Sequence, residues 1–326
     1  MIFCLVLLPL CHAQLPYSED VLAGMPERIR LWRQMESYAA KAGQSHVTPA
    51  IGPTLQGKIG YPPPDLIRRP VVRREKSGED SVATYYRLWV EVAPQLETYG
   101  LYIVPKSNPG RAPLVIAIHG GGGFPELAAY YHDSRYRDMV RGAVERGYVV
   151  FVPHLIFYPY HDRDHGTSIP ENVRAVLDEK LQRRGTSLMA VEVAKIIRSL
   201  DVILTWPEVD ASRVAMIGLS WGGAYTQYVA ALDPRIRVAV SSCSFQGDLP
   251  AKPGFGTHGY ATTAELVRMI SPRPLQLQFG DHDPHNPIDK VRRGLAGVDV
   301  PFDLAVFPGD HEFCGELAWA FLKRHL

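Results

Sequence analysis

The chain of 326 residues has no apolar run of the roughly 20 residues that a membrane-crossing helix needs, which argues against a membrane span. Nor is there an excess of either charge. Against 35 Lys and Arg stand 34 Asp and Glu, a formal +1, and no basic run is long enough to neutralise a row of phosphates, so nucleic acid is not an expected partner. A Gly-x-y period is absent, which excludes collagen, and there is no internal repeat or low-complexity tract. At 46% hydrophobic and 21% charged residues the composition fits neither a disordered chain nor a coiled coil. Cysteine is scarce: Cys4 and Cys11 lie in the N-terminal segment, leaving Cys243 and Cys314. Those two read as buried thiols acting as small hydrophobes, with a single bridge as the alternative.

Met1–Ala13 is uncharged and apolar and ends in Cys11-His12-Ala13, where small residues suit a signal peptidase. Residues 1–13 are therefore expected to be a signal peptide, and the protein secreted or periplasmic. Leu10 before Cys11 argues against a lipid anchor. Pro26–Ala42 carries Ile29, Trp32, Met35 and Tyr38 at helical spacing, and Thr48–Ser77 is Pro-rich without a sustained period. Residues 14–84 thus read as an N-terminal helix and extended strap packed on a core domain, 85–326.

Tyr85–Val92 and Thr98–Val104 fit an antiparallel hairpin. Six short β-rich runs follow, at 114–118, 148–152, 213–217, 236–240, 275–279 and 302–307, apolar enough to be buried on both faces. Helical patterns separate most of them, at 126–146, 187–205, 224–232, 262–270, 288–295 and 316–325. The expectation is an α/β fold with a mostly parallel eight-stranded sheet and helices on both faces, whose chemistry lies beyond the carboxyl ends of the strands. No long helical insertion interrupts 241–261, so no large lid is expected.

The 213–217 strand runs into Gly218-Leu219-Ser220-Trp221-Gly222-Gly223 and then a helix, the setting of a serine on a sharp strand-to-helix turn. A serine hydroxyl needs a base, and the base needs an orienting acid. Downstream, the strand at 275–279 is followed by Gly280-Asp281-His282-Asp283, and the strand at 302–307 by Asp310-His311. The order Ser220, Asp283, His311 places one member of a triad at each of three strand ends, with Asp281 a competitor for the acid. Leu114–Ile118 leads into His119 and glycines 120–123. Their amides, at Gly121 or Gly122, together with the Trp221 amide, suit an oxyanion hole. No G-x-x-x-x-G-K-[ST] is present, so phosphate binding is rejected.

On these residues the chain resembles the α/β-hydrolases, and among them the secreted acetyl xylan esterases and dienelactone-hydrolase-like serine esterases. The resemblance runs from about Tyr85 to the C-terminus and includes Val104-Pro105 after the hairpin and the run Asp201 to Val214, in which Trp206-Pro207, Val209-Asp210 and Arg213 match. It differs from dienelactone hydrolases proper in having Ser220 where they carry Cys. Prolyl-oligopeptidase-like enzymes differ in carrying a propeller ahead of the catalytic domain. The resemblance implies the α/β-hydrolase fold, Asp283 as the acid, and hydrolysis of short acyl esters of carbohydrates. A peptidase and a non-catalytic binding protein on the same fold are the alternatives.

Phe124, Phe157 and Tyr158, with His161 and His165, lie near the expected site loops and are candidates to line the substrate. His161 and His165 stand four apart, but Pro159 and Gly166 flank them and argue for a loop. Serine chemistry needs neither metal nor cofactor, and neither is expected. The partner expected is a small-molecule or carbohydrate ester; the sequence does not reveal an oligomeric state.

Overall fold

Two periodicities set the architecture: apolar alternation of two along the strands, and stripes of three to four along the helices. The computed structural model describes residues 18–41, 53–107, 110–121, 123–130, 135–155, 173–247 and 260–326. In chain order it contains α1 (Ser18–Ala40), α2 (Leu55–Ile59), β1 (Val72–Glu79), β2 (Ala83–Ala93), β3 (Leu96–Pro105), β4 (Ala112–Ile118), α3 (Pro125–Tyr130), α4 (Met139–Glu145), β5 (Val149–Pro153), α5 (Val173–Gln182) and α6 (Leu188–Ile203). The C-terminal half adds β6 (Val209–Leu219), α7 (Trp221–Leu232), β7 (Val238–Ser242), α8 (Thr263–Ile270), β8 (Leu275–Gly280), α9 (Ile288–Leu295), β9 (Asp303–Phe307) and α10 (Gly315–His325).

The sheet has nine strands in the order β1-β2-β3-β5-β4-β6-β7-β8-β9, not the eight expected. The extra strand is β1, which pairs antiparallel with β2 inside the stretch read as a strap. Its sequence, Val-Arg-Arg-Glu-Lys-Ser-Gly-Glu, hides from a search for apolar alternation because an edge strand leaves its side chains in water. From β5 onward every pairing is parallel. Neighbouring residues of β4 supply opposite cores. Leu114, Ile116 and Ile118 pack with residues of α6 and α7, whereas Val115 and Ala117 pack with residues of α4 and α10.

The helical pattern over 126–146 divides into α3 and α4, with Arg137 and Asp138 in the left-handed region at φ 44° and 54°. α5 forms in a stretch to which the sequence reading assigned no element. Leu31, Trp32, Met35, Tyr38 and Ala39 of α1 are buried, and the Arg184 guanidinium, itself buried, binds the Tyr38 carbonyl and Asp65. The segment ahead of the hairpin is thereby joined to the main core. Among the described residues no helix is long and apolar enough to cross a membrane, and Cys243 and Cys314 are free thiols.

Candidate active site

Four parallel strands, β4, β6, β8 and β9, deliver the expected site residues to one edge of the sheet. β6 ends at Leu219 and α7 begins at Trp221, so Ser220 alone must turn the chain. It does so at φ 59°, ψ −119°, a conformation that costs a non-glycine residue on the order of 1–3 kcal/mol and persists only where the surroundings enforce it. Its N–H donates to the Ser242 carbonyl at 2.8 Å, and its carbonyl accepts from Ala224 N–H at 3.0 Å. The flanking glycines are required by contact. A Cβ at Gly218 falls 2.3 Å from the Gly222 carbonyl oxygen, and one at Gly222 falls 2.2 Å from the Ile118 carbonyl oxygen. The turn is wedged between its own helix and β4, and Ser220 stays half-buried at the sheet edge.

The loop after β8 carries Asp283 and the loop after β9 carries His311. His311 Nδ1 lies 3.0 and 2.9 Å from the two Asp283 carboxylate oxygens, and both residues are buried, Asp283 at 3% and His311 at 8% exposure. Burial pushes the Asp283 carboxyl up. Hydrogen bonds from His311, Asn286 and the His285 backbone outweigh that and hold its pKa at about 2, so the acid stays ionised. An ionised carboxylate accepts only, so Nδ1 carries the imidazole proton and Nε2 is the basic nitrogen. Asp281, the competitor, is exposed, accepts from Gly309 N–H at 3.0 Å and pairs with His282 at 2.7 Å; it shapes the turn and does not reach His311 in this way.

Asn286, which the sequence reading overlooked, is the hub of the acid loop. Its Nδ2 donates to Asp283 Oδ2 and to the Cys243 carbonyl, both at 2.9 Å, and its Oδ1 accepts from Phe245 N–H at 3.1 Å. Its position three residues after Asp283 was the available signal. Cys243 follows β7 at φ 51°, and its Sγ lies with ligand atoms of Asp283 and His311 inside a 4.8 Å span. Ser242 holds the Ser220 amide, and Cys243, its neighbour, abuts the acid–base pair. The end of β7 therefore links the serine turn to the other two residues. Burial pushes the Cys243 thiol up to about 12, so it packs here as a neutral group.

Beyond β4, His119 is fully buried. Leu155 N–H donates to its Nε2 at 3.2 Å, which leaves the proton on Nδ1, 3.0 Å from the Gly120 carbonyl. Burial lowers its pKa to about 4, so the ring is neutral; His154 stacks on it at 5.7 Å. Gly121 is exposed, and Gly122 lies outside the described residues. Phe124 is buried under the Arg28 guanidinium of α1, 3.8 Å from its ring centroid. Trp221 is half-buried, and Arg174 of α5, also unforeseen, lies 4.9 Å over its ring. Phe157, Tyr158, His161 and His165 fall outside the described residues.

The dienelactone hydrolase family profile matches residues 99–318, about two thirds of the chain. The chain is similar to the protein YtaP of Bacillus subtilis (strain 168), 26% identical over 259 residues that cover 71% of this chain and 82% of the relative. Among solved structures it is similar to acetyl xylan esterase 1 from Thermoanaerobacterium sp. JW/SL YS485, at 20% identity and TM-score 0.58 over 89% of this chain and 93% of that one. A glucuronoyl esterase from Solibacter usitatus aligns at 15% identity and TM-score 0.55 over 79% of this chain and 86% of that one.

Proposed function

This chain belongs to the dienelactone hydrolase family and is a carboxylic ester hydrolase, and from that premise we propose that it is of the serine type, that Ser220, His311 and Asp283 are its catalytic triad, and that it removes short acyl groups, chiefly acetyl, from carbohydrates. The observation that carries the reading is a serine at a strained, wedged turn after β6 together with a buried His–Asp couple after β8 and β9, at the same edge of the sheet.

In this mechanism Ser220 Oγ attacks the ester carbonyl while His311 Nε2 takes its proton. Asp283, already ionised, holds the Nδ1 proton and stabilises the imidazolium as it forms. The amides of Trp221, at the first turn of α7, and of Gly121 or Gly122 take the charge that develops on the carbonyl oxygen. His311 then protonates the departing alcohol, and water repeats the sequence on the acyl-enzyme with His311 as base. The acetyl preference rests on the acetyl xylan esterase among the similar structures. The apolar run Met1–Ala13 supports export through a signal peptide, and residues 85–326 with β1 added form the catalytic domain.

The test is hydrolysis of p-nitrophenyl acetate, butyrate and octanoate and release of acetate from acetylated xylan, each with Ser220→Ala alongside. We expect activity that falls with acyl length and vanishes in the variant, together with fluorophosphonate labelling at Ser220. Wild-type turnover that survives Ser220→Ala refutes the triad. Turnover of nitrophenyl esters with no acetate from xylan refutes the carbohydrate substrate alone.

A further inference from the structure

The glycine loop after β4 has its amides allotted unevenly. Gly123 N–H donates to the Gly120 carbonyl at 3.1 Å, closing a tight turn. Gly120 N–H donates to the Tyr136 hydroxyl oxygen at 3.0 Å. Of the described loop glycines, 120 and 123 therefore spend their amides inside the protein, and Gly121 is left. Its direction is determined as well. In a trans peptide the carbonyl and the following N–H point opposite ways, and the Gly120 carbonyl is held by both the Gly123 amide and His119 Nδ1, 3.0 Å away. The Gly121 N–H must face away from both. The loop also passes against the nucleophile, since a Cβ at Gly120 falls 3.3 Å from Ser220 Cβ.

We propose that Tyr136 is a positioning residue of the oxyanion hole, a strut whose hydroxyl clamps the Gly120 amide so that the Gly121 amide is presented to the substrate carbonyl. This rests on the serine-esterase reading above and deepens it. Tyr136 lies between α3 and α4, and its flanks are tied to the loop that carries His311. Phe313 N–H donates to the Arg135 carbonyl at 2.9 Å, and Arg137 pairs with Glu312 at 2.6 Å. One short segment thus spans from the base to the oxyanion donor. The hydroxyl also explains a glycine: a Cβ at Gly123 falls 2.0 Å from Tyr136 Oη. Tyr136 is 6% exposed, and burial raises its phenol to about 12, so the hydroxyl stays neutral and available as an acceptor.

A phenylalanine at 136 keeps the ring and removes the acceptor. The buried Gly120 N–H is then left without its acceptor, and the loop has to shift to find it another, which displaces the adjoining peptide that carries the Gly121 N–H. Losing an oxyanion donor outright costs about 10²–10³ in kcat; misaligning one is expected to cost about tenfold. For Tyr136→Phe on p-nitrophenyl acetate we expect kcat about tenfold lower with KM unchanged, and the Ki of a trifluoromethyl ketone, whose serine adduct places an oxyanion in the hole, raised by the same factor. Gly123→Ala, which drives the hydroxyl off the loop without removing it, is expected to give the same signature and serves if Tyr136→Phe folds poorly. A kcat within twofold of wild type in both variants, or a lower kcat with an unchanged ketone Ki, overturns the strut. Ser220→Ala run beside them separates the two ideas. Loss of all activity there with no effect at Tyr136 overturns only the strut, whereas activity surviving there overturns the serine reading with it.

Discussion

Gly222→Ala should disable the site by moving the start of α7 away from the end of β4. A Cβ at 222 is placed 2.2 Å from the Ile118 carbonyl oxygen, 2.6 Å from that of His119 and 2.8 Å from Ile118 carbonyl carbon, where 3.4 Å begins ordinary contact. All three atoms are backbone, so no side chain can swing aside. Relief requires α7 and the end of β4 to separate by about 1 Å. α7 begins at Trp221, directly after Ser220, and β4 runs into the glycine loop, so the movement pulls the nucleophile and the Trp221 amide away from the oxyanion donor on that loop. A displacement of about 1 Å in catalytic geometry costs on the order of 10²-fold, and an overpacked methyl about 1–3 kcal/mol of stability. The assay is kcat on p-nitrophenyl acetate beside a urea melt. Both should fall, with the catalytic loss the larger. A variant with kcat within threefold of wild type and an unchanged urea midpoint refutes the argument from contact.

Asn286→Leu removes one donor to Asp283 and strands the Cys243 carbonyl and the Phe245 amide; about 1–3 kcal/mol of stability should go, with kcat lower about tenfold, measured by urea denaturation and esterase kinetics. Because the native Asp283 pKa is about 2, below the carboxylate range of the unfolded chain, its contribution is present above that range and is lost as pH falls through 2. The variant raises the native pKa, so its acid-unfolding midpoint should move to higher pH, and an unmoved midpoint counts against the hub role. His119 and His154, lowered by burial, should remain neutral at pH 5 in imidazole NMR spectra. The unfolded chain takes up those protons first, so both rings cost stability as pH drops from about 6.5 toward 4; a charged His119 ring at pH 5 overturns the buried tautomer.

Most of the fold was legible because its strands are buried on both faces and announce themselves as short β-rich runs between helical stripes. The elements that escaped were those whose signal is not apolar periodicity. β1 is polar because it is an edge, α5 lies in a polar stretch, and α4 starts only at Met139 because Arg137 and Asp138 before it adopt left-handed backbone. The serine turn could be read locally, since Gly218, Ser220 and Gly222 lie within five residues and their constraint is a contact among neighbours.

Asp283 and His311 could be nominated from their places after β8 and β9, and the resemblance put Asp283 ahead of Asp281 as the acid. Their 2.9 Å contact is made by strand order and register, which no local pattern specifies. Asn286, Tyr136 and Arg174 had still less to announce them, because a polar residue's role depends on which atoms come within about 3 Å of it. By itself the sequence determined the class of fold, the elbow, and the kinds of side chain at each strand end. Only the tertiary structure decided which carboxylate meets His311, which glycine amides are spent on the loop itself, and that Tyr136 reaches across to one of them. Hydrogen bonds act over ångströms, and chain positions 28 residues apart, as Asp283 and His311 are, come within that reach only once the sheet has assembled.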